Sequence, residues 1–253
     1  MTAPTTLNVR VVRKAVEAED ICSLELAAVD GGPLPAFSAG SHVDVQLPGG
    51  LTRQYSLCND PAETHRYLLG VLKDAASRGG SRAVHEQVQE GSLLQISPPK
   101  NHFALAHDAQ RHLLLAGGIG VTPILCMAER LARTGAAFEM HYATRSKART
   151  AFAGRIAASS FADRVHFHFD DGDAAQKLDL EGIAVDGAGG FWLASEGRSD
   201  RMTPHALVHV DAEGAIIEEV PLPEVLLDQE VRFGFEGVAK VGDVIWLAVQ
   251  REW

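Results

Sequence analysis

Cysteine is scarce: Cys22, Cys58 and Cys126 are the only three in 253 residues. An odd, scattered set of this kind makes neither a disulfide framework nor a four-thiolate metal site, and each reads as an ordinary buried thiol. No apolar run reaches membrane-spanning length, and the opening Met1-Thr-Ala-Pro-Thr-Thr-Leu-Asn-Val-Arg10 lacks the apolar core of a signal peptide. No membrane partner is expected, and cytoplasm is the expected compartment. Positive charge is short as well, with 23 Lys and Arg against 33 Asp and Glu, a net charge of −10. Nearly all of that imbalance falls in residues 181–253, with 5 basic and 14 acidic residues, whereas residues 1–180 hold 18 and 19. An acidic surface repels phosphates, which argues against nucleic acid as a partner. Ser41, His42 and Ser81 compose no recognisable nucleophile triad.

What is present suits a globular chain with room for two modest cores: 46% of residues are hydrophobic and 22% charged. Residues 7–105 are strand-like. Leu7-Asn-Val-Arg-Val-Val12 and Val43-Asp-Val-Gln-Leu47 alternate apolar with polar, and Tyr67-Leu-Leu-Gly-Val-Leu72 is continuously apolar. Gly and Pro punctuate between them, which predicts an antiparallel barrel or sandwich, with one helix over Ala83 to Val88 behind Gly79-Gly80-Ser81. From His112 the pattern becomes strand, helix, strand, helix, strand. His112 to Ala116 reads as a strand buried on both faces, Thr122 to Thr134 as a helix and Phe138 to Tyr142 as a strand. Ala148 to Ala158 reads as a helix and Val165 to Phe169 as a strand. That alternation predicts a doubly wound sheet. After Leu180 a repeat appears: Leu180-Glu-Gly-Ile-Ala and Phe191-Trp-Leu-Ala return as Phe235-Glu-Gly-Val-Ala and Ile245-Trp-Leu-Ala. Paired strands at a period near ~50 are the signature of propeller blades, although closure needs roughly 4–8 of them.

Two segments carry chemistry. Arg53-Gln-Tyr-Ser-Leu57 supplies a planar cationic fork for a phosphate, and Gly79, Gly80 and Ser81 offer backbone donors at a helix start. Gly117-Gly-Ile-Gly-Val-Thr-Pro123 follows a strand and opens a helix, where glycines let N–H groups approach a pyrophosphate. His166 and His168 share one face of a strand, but with no third ligand evident they read as a sheet edge, and no metal site is expected.

Together with Phe37-Ser-Ala-Gly-Ser-His-Val-Asp-Val45, Arg78-Gly-Gly-Ser-Arg-Ala-Val-His85 and Pro99-Lys-Asn-His-Phe103, these segments resemble the phthalate dioxygenase reductase-like branch of the ferredoxin–NADP reductase superfamily, which includes vanillate demethylase reductases. The resemblance covers residues 5–180. It implies a flavin, FMN (or FAD), with Arg53 on its phosphate, Tyr55 flat on the isoalloxazine, Ser56 beside N5, and Leu57, Gly79, Gly80 and Ser81 around it. It implies NADH (or NADPH) along Gly117, Gly118, Gly120, Thr122 and Pro123, with Thr122 nearest the nicotinamide and Thr144 and Arg145 at the adenosine ribose. Ser56 and Thr122 are the implied catalytic pair, and an oxygenase component or another electron acceptor the implied partner. A complete member continues with a Cys-Gly-Pro strand and a Cys-x4-Cys-x2-Cys ferredoxin domain. Neither stands here, so no iron–sulfur cluster is expected in this chain and the nucleotide domain reads as half-built. The tail resembles the esterase-like phytase β-propeller through Leu180-Glu-Gly-Ile-Ala, Phe191-Trp-Leu-Ala-Ser-Glu196, Val220-Pro-Leu-Pro223 and Gly234-Phe-Glu-Gly-Val-Ala239. Glu181, Glu196 and Glu236 are its candidate carboxylates.

The expected architecture is therefore α+β and multidomain. It comprises an antiparallel flavin-binding β-barrel over 1–105, an incomplete doubly wound α/β domain over 106–180 for NAD(P)H, and an acidic, propeller-like β-hairpin tail over 181–253. The expected activity is flavin-dependent NAD(P)H oxidoreduction. The alternatives are a hydrolase-like or metal-binding propeller fragment, and an inactive fusion of two incomplete domains.

Overall fold

The structure, a computed structural model, describes residues 6–106, 109–169, 180–186, 189–195, 206–211, 215–220, 235–241 and 244–249. The chain divides into two compact units, Met1–Gly172 and Asp173–Trp253.

The first unit opens with β1 (Leu7–Ala18), β2 (Ile21–Ala28), β3 (Ser41–Leu47), β4 (Leu51–Ser56) and β5 (Tyr67–Leu72), followed by α1 (Gly80–Gln87), β6 (Leu93–Ile96) and the short β7 (Lys100–Asn101). The strands pair antiparallel in the order β4-β3-β6-β1-β2-β5, with β7 alongside β3. Alternation decides the faces as the sequence predicts. In β3, Ser41, Val43, Val45 and Leu47 are buried, while His42, Asp44 and Gln46 point away from the core. β5 is buried along nearly its whole length. Val9, Leu24, Leu26, Val43, Leu69 and Ile96 form the core of this sheet. The expected closed barrel is not formed by a ladder: the edges meet in one isolated bridge, Leu57 to Leu69. The sheet is rolled and pinned at one point.

β8 (Arg111–Gly117), α2 (Val121–Thr134), β9 (Ala137–Thr144), α3 (Ala153–Ala157) and β10 (Val165–Phe169) follow. The three strands are parallel in the order β10-β9-β8. Two expectations are corrected here. β8 is not buried on both faces: Leu114 and Ala116 are covered, whereas Leu113 and Leu115 are 41% and 39% exposed. Leu125 of α2 and Ile156 of α3 join Met140 and Tyr142 in one cluster, so the described helices cover one face of the sheet and leave the other open. The second correction concerns the helix expected over Ala148 to Ala158, of which only Ala153–Ala157 is α-helical. The Thr150 hydroxyl meets that of Thr144 at 2.8 Å and donates to the Ser146 carbonyl at 2.9 Å. Phe152 then takes a left-handed φ of 59°. Side-chain bonds to nearby backbone compete with helix, and a left-handed residue ends one.

The second unit contains β11 (Leu180–Val185), β12 (Phe191–Ser195), β13 (Ala206–Val210) and β14 (Ile216–Val220) as a four-stranded antiparallel meander, and β15 (Phe235–Val241) with β16 (Val244–Val249) as a hairpin. The sequence repeat is realised in register. Gly182 faces Ala194 and Ala184 faces Trp192; Gly237 faces Ala248 and Ala239 faces Trp246, each hairpin with an irregularity just before its glycine. Among the described residues no ring of blades forms. No described helix is long and apolar enough to cross a membrane.

Candidate functional site

β4 alternates, so Arg53 and Tyr55 fall on the same half-buried face, paired with Val45 and Val43 of β3. The first turn of α1 closes over Arg53. Gly79 adopts φ 94°, and a Cβ on Gly80 would stand 2.6 Å from Arg53 Nε, so only glycine lets the helix start come this near the guanidinium. Arg53 Nη1 donates to the Thr52 carbonyl at 2.8 Å, and Nη2 reaches the Arg78 carbonyl at 3.4 Å. Arg53, Tyr55, Ser77, Arg78 and Ser81 line one cleft of about 240 Å³. α1 has no acidic residue in its first turn and no side-chain cap, so its leading amides meet no cap side chain of the helix's own. Arg53, Arg78 and Ser81 of the first turn of α1 thus border the same cleft. Asp74 stands on the rim, its carboxylate accepting from Ala76 N at 2.9 Å.

Burial pushes the Tyr55 phenol up to about 12 against the opposing pull of Arg53, which keeps it a neutral ring with a hydroxyl donor. Ser56 does not line the cleft and pairs instead with His42 across the ladder. Leu57 is fully buried in the sheet core, and its N–H donates to the Ser41 carbonyl at 2.9 Å, so its side chain holds the strand end. His42, to which the sequence assigned no role, is the neighbour of Ser56 across that ladder. Its Nε2 is buried with no hydrogen-bond partner, and burial lowers its pKa despite the opposing carboxylate of Asp44.

The second predicted segment forms the turn between β8 and α2. Gly118 has φ 46° and runs through a 3-10 turn into α2, which also lacks a side-chain cap and an acidic residue in its first turn. A Cβ at Gly117, Gly118 or Gly120 would point into open space, so none of the three is small to satisfy packing inside the protein. The Tyr142 hydroxyl clamps the turn by donating to the Gly118 carbonyl at 3.1 Å. Pro123 sits in the first turn of α2, where its missing N–H breaks no bond. Thr122 is buried, its hydroxyl donating to the Ile119 carbonyl at 3.1 Å. Thr144 is buried too, with its hydroxyl committed to Thr150 and Ser146, while Arg145 is exposed at the end of β9.

Gly70 brings the two halves together, and no motif announced it. A Cβ there would stand 2.7 Å from Thr122 Cγ2 and 3.0 Å from the Phe152 ring. Gly70 follows Leu69, the residue bridged to Leu57. The end of the Arg-x-Tyr-Ser strand and the start of α2 thus both lie against β5, at adjacent residues. A larger cavity of about 500 Å³, lined by Phe37, Asn101, Leu105, His112 and Arg130 among others, contains none of the predicted residues. The smaller cleft is the better candidate, because it alone joins paired cations to a helix start.

Near β10 one reading is corrected: His166 and His168 do have further ligand-type neighbours, since β9 presents Glu139 and His141 beside them. In the second unit Trp192 stacks on His209 with centroids 4.2 Å apart, and His209 Nε2 meets Asp186 at 2.7 Å. Glu181 and Glu236 occupy equivalent positions in β11 and β15. Glu196 lies outside the described residues.

A family model described as the esterase-like activity of phytase matches residues 138–253. Vanillate O-demethylase oxidoreductase of Pseudomonas putida is 62% identical over 161 residues, which make up 64% of this chain and 50% of that protein. The protein of the same name from Pseudomonas sp. strain HR199 is 54% identical over 176 residues, 70% of this chain and 56% of that one. Among solved structures, phthalate dioxygenase reductase, described as a modular structure for electron transfer from pyridine nucleotides to a 2Fe–2S centre, matches with a TM-score of 0.65 at 39% identity. That match covers 69% of this chain and 55% of the other. The chain spans about half the length of the curated relatives it matches. The phytase-like match begins at residue 138, inside β9, yet the parallel ladders of β9 with β8 and β10 tie residues 138–169 to the first unit. From β1 through β10 the chain belongs to the phthalate dioxygenase reductase and vanillate demethylase reductase family.

Proposed function

We propose that the first unit binds a flavin and a nicotinamide dinucleotide, and that hydride passes from NADH (or NADPH) to the flavin, whose electrons then go to an oxygenase component or another acceptor. The observation that carries this is the junction at β5: Leu57 bridged to Leu69, and Thr122 seated on Gly70. Transfer between two bound cofactors needs their reactive ends held against each other, and positioning of this kind supplies much of the rate. Arg53, Arg78 and the amides of Gly80 and Ser81 hold the flavin phosphate, and Tyr55 offers its ring to the isoalloxazine. Gly79 sets the left-handed entry to that helix. FMN is the proposed flavin, with FAD its alternative. Leu57 fixes the strand end, and Ser56 stands where the strand approaches β5.

Gly117, Gly118 and Gly120 leave the start of α2 open to a pyrophosphate, with Pro123 completing its first turn and Thr122 on the nicotinamide side. Thr144 shapes the turn from within, and Arg145 is the group available to a ribose or its 2′-phosphate. The flavin, when bound, accepts a hydride and releases electrons singly. The protein's task is to bind, align and exclude water, with no side-chain acid or base required. The working division is a flavin part over 1–105, a nucleotide part over 106–180 and a separate acidic β part over 181–253.

An anaerobic titration of the FMN-loaded chain with NADH, followed in the visible flavin band, tests the reading. Bleaching at near one equivalent is the expected result, and a yellow protein that neither NADH nor NADPH bleaches would sink it. The phytase-like match over residues 138–253 and the twice-used irregular hairpin favour a second reading, a hydrolytic or metal-binding activity of the tail. Turnover of aryl ester or aryl phosphate by the full chain, lost on Asp186→Asn, would support it; no turnover would remove it.

A further inference from the structure

We propose that Glu139, His141 and His166 form a binding site for one divalent transition metal of the zinc class, with His168 positioning His141. Parallel pairing sets His166 of β10 directly beside His141 of β9. Period-two alternation then puts Glu139, two residues before His141, and His168, two residues after His166, on that same face. The opposite face of β9 is spent on the core, through Phe138, Met140 and Tyr142. A carboxylate and three imidazoles therefore gather on the open side of the sheet.

The distances match a metal's needs. Glu139 Oε1 lies 3.2 Å from His141 Nε2 and 3.2 Å from His166 Nε2, and the three ligand atoms lie within 4.8 Å of one another. Tetrahedral zinc, with bonds of about 2.0–2.2 Å, needs ligand–ligand edges of about 3.4 Å. The set closes on an ion with small side-chain rotations, and the fourth position is left open to water. The outer contacts are those that hold ligands in place. Arg111 Nη2 binds Glu139 through its other oxygen, Oε2, at 2.6 Å, and His168 Nε2 meets His141 Nδ1 at 2.9 Å. Glu139 and His141 are 30% exposed and His166 48%, which gives an ion a way in.

A neutral imidazole has one N–H, yet His141 makes close contacts through both nitrogens: Nδ1 to His168, Nε2 to Glu139. If the proton is on Nδ1 and given to His168, then His141 Nε2 turns a lone pair toward a carboxylate oxygen. In that tautomer the Nε2 lone pair and the Glu139 oxygen offer two ligand atoms to one ion, whereas in the other tautomer Nε2–H donates to Glu139 and Nδ1 accepts from His168. Imidazole nitrogens with a carboxylate oxygen are a ligand set for zinc and its neighbours rather than for calcium or magnesium, which take oxygen alone.

The experiment is a calorimetric titration of the chelator-treated full-length chain with zinc at neutral pH. One equivalent is expected to bind, with proton release and a raised melting temperature. Glu139→Gln and His166→Ala should remove that equivalent, and His168→Ala should keep it while weakening it roughly 10–100-fold. His166→Cys, which returns a ligand, should restore binding, and that rescue separates lost ligation from lost folding. His65→Ala, remote from the cluster, should change nothing. Failure to take up an equivalent would overturn the proposal. Undiminished binding in His166→Ala, or no rescue by His166→Cys, would overturn it equally.

Discussion

At the scale of single residues, the cleft depends on what is missing from Gly80 as much as on what Arg53 offers. Gly80→Ala places a methyl 2.6 Å from Arg53 Nε and 2.7 Å from its Cγ. Arg53 must move away from the helix start, and overpacking of this kind costs about 1–3 kcal/mol. The expected outcome is FMN affinity at least ~10-fold weaker with a modest loss of melting temperature, read by flavin fluorescence quenching and thermal unfolding. An unchanged FMN Kd would mean that Arg53 does not hold the phosphate. A second residue-scale prediction concerns acid. The hydrogen bonds from Lys100, at 2.6 Å, and from Gln54 hold the Asp44 carboxyl below its ordinary value. The folded-state pKa is lower than the unfolded one, so this pair stabilises fully above the unfolded value. That stabilisation disappears as pH falls through the depressed folded value. The pair is partly exposed, so its worth is under about 1 kcal/mol. Lys100→Met should therefore lower the urea midpoint slightly at pH 7 and leave it equal to wild type near pH 2; a constant difference at both would refute the assignment.

At the scale of elements, the contact between β5 and α2 is the joint on which hydride transfer rests. Gly70→Ala forces a methyl against Thr122 Cγ2 and the Phe152 ring. Pushing α2 off β5 misaligns the two cofactors without touching the phosphate cradle at α1. Flavin affinity should stay near wild type, while the rate of flavin reduction by NADH falls on the order of 100-fold, as small misplacements do. Stopped-flow reduction beside an FMN binding curve separates these effects, and a loss confined to FMN binding would contradict the joint. The same contact explains where element prediction succeeded and failed. α2, with its apolar stripe of Ile124, Leu125, Ala128 and Leu131, was legible in the sequence because periodicity alone defines it. α3 was overread because Thr144, Ser146 and Thr150 come together only once β9 is in place. Gly70 was unreadable for a related reason. In sequence it is a glycine in an apolar strand, and its meaning lies in residues 52 and 82 positions later.

At the scale of the whole molecule, two compact units carry two different family signals, and the first contains every residue proposed to hold a cofactor. A chain ending at Gly172 is expected to bind FMN with unchanged affinity and to bleach with NADH as the full chain does. Loss of flavin from that shorter chain would show that the second unit takes part in the site. Sheet coverage also belongs to this scale. Leu113 and Leu115 read as residues of a strand buried on both faces, but the described helices cover only the Met140 and Tyr142 side.

The amino-acid order by itself determined the antiparallel-then-parallel plan and the two cofactor-type segments, along with the change of character near residue 180. Those follow from local periodicity, turn residues and contiguous motifs, which need no partner from elsewhere in the chain. Tertiary structure alone decided that Leu57 and Thr122 both lie against β5, that Thr144 turns inward and that the edges of the first sheet meet at one isolated bridge. It alone also set Glu139 and His141 beside His166. Each of these depends on which strands become neighbours, and strand pairing is a contest among distant segments that no single stretch of sequence records.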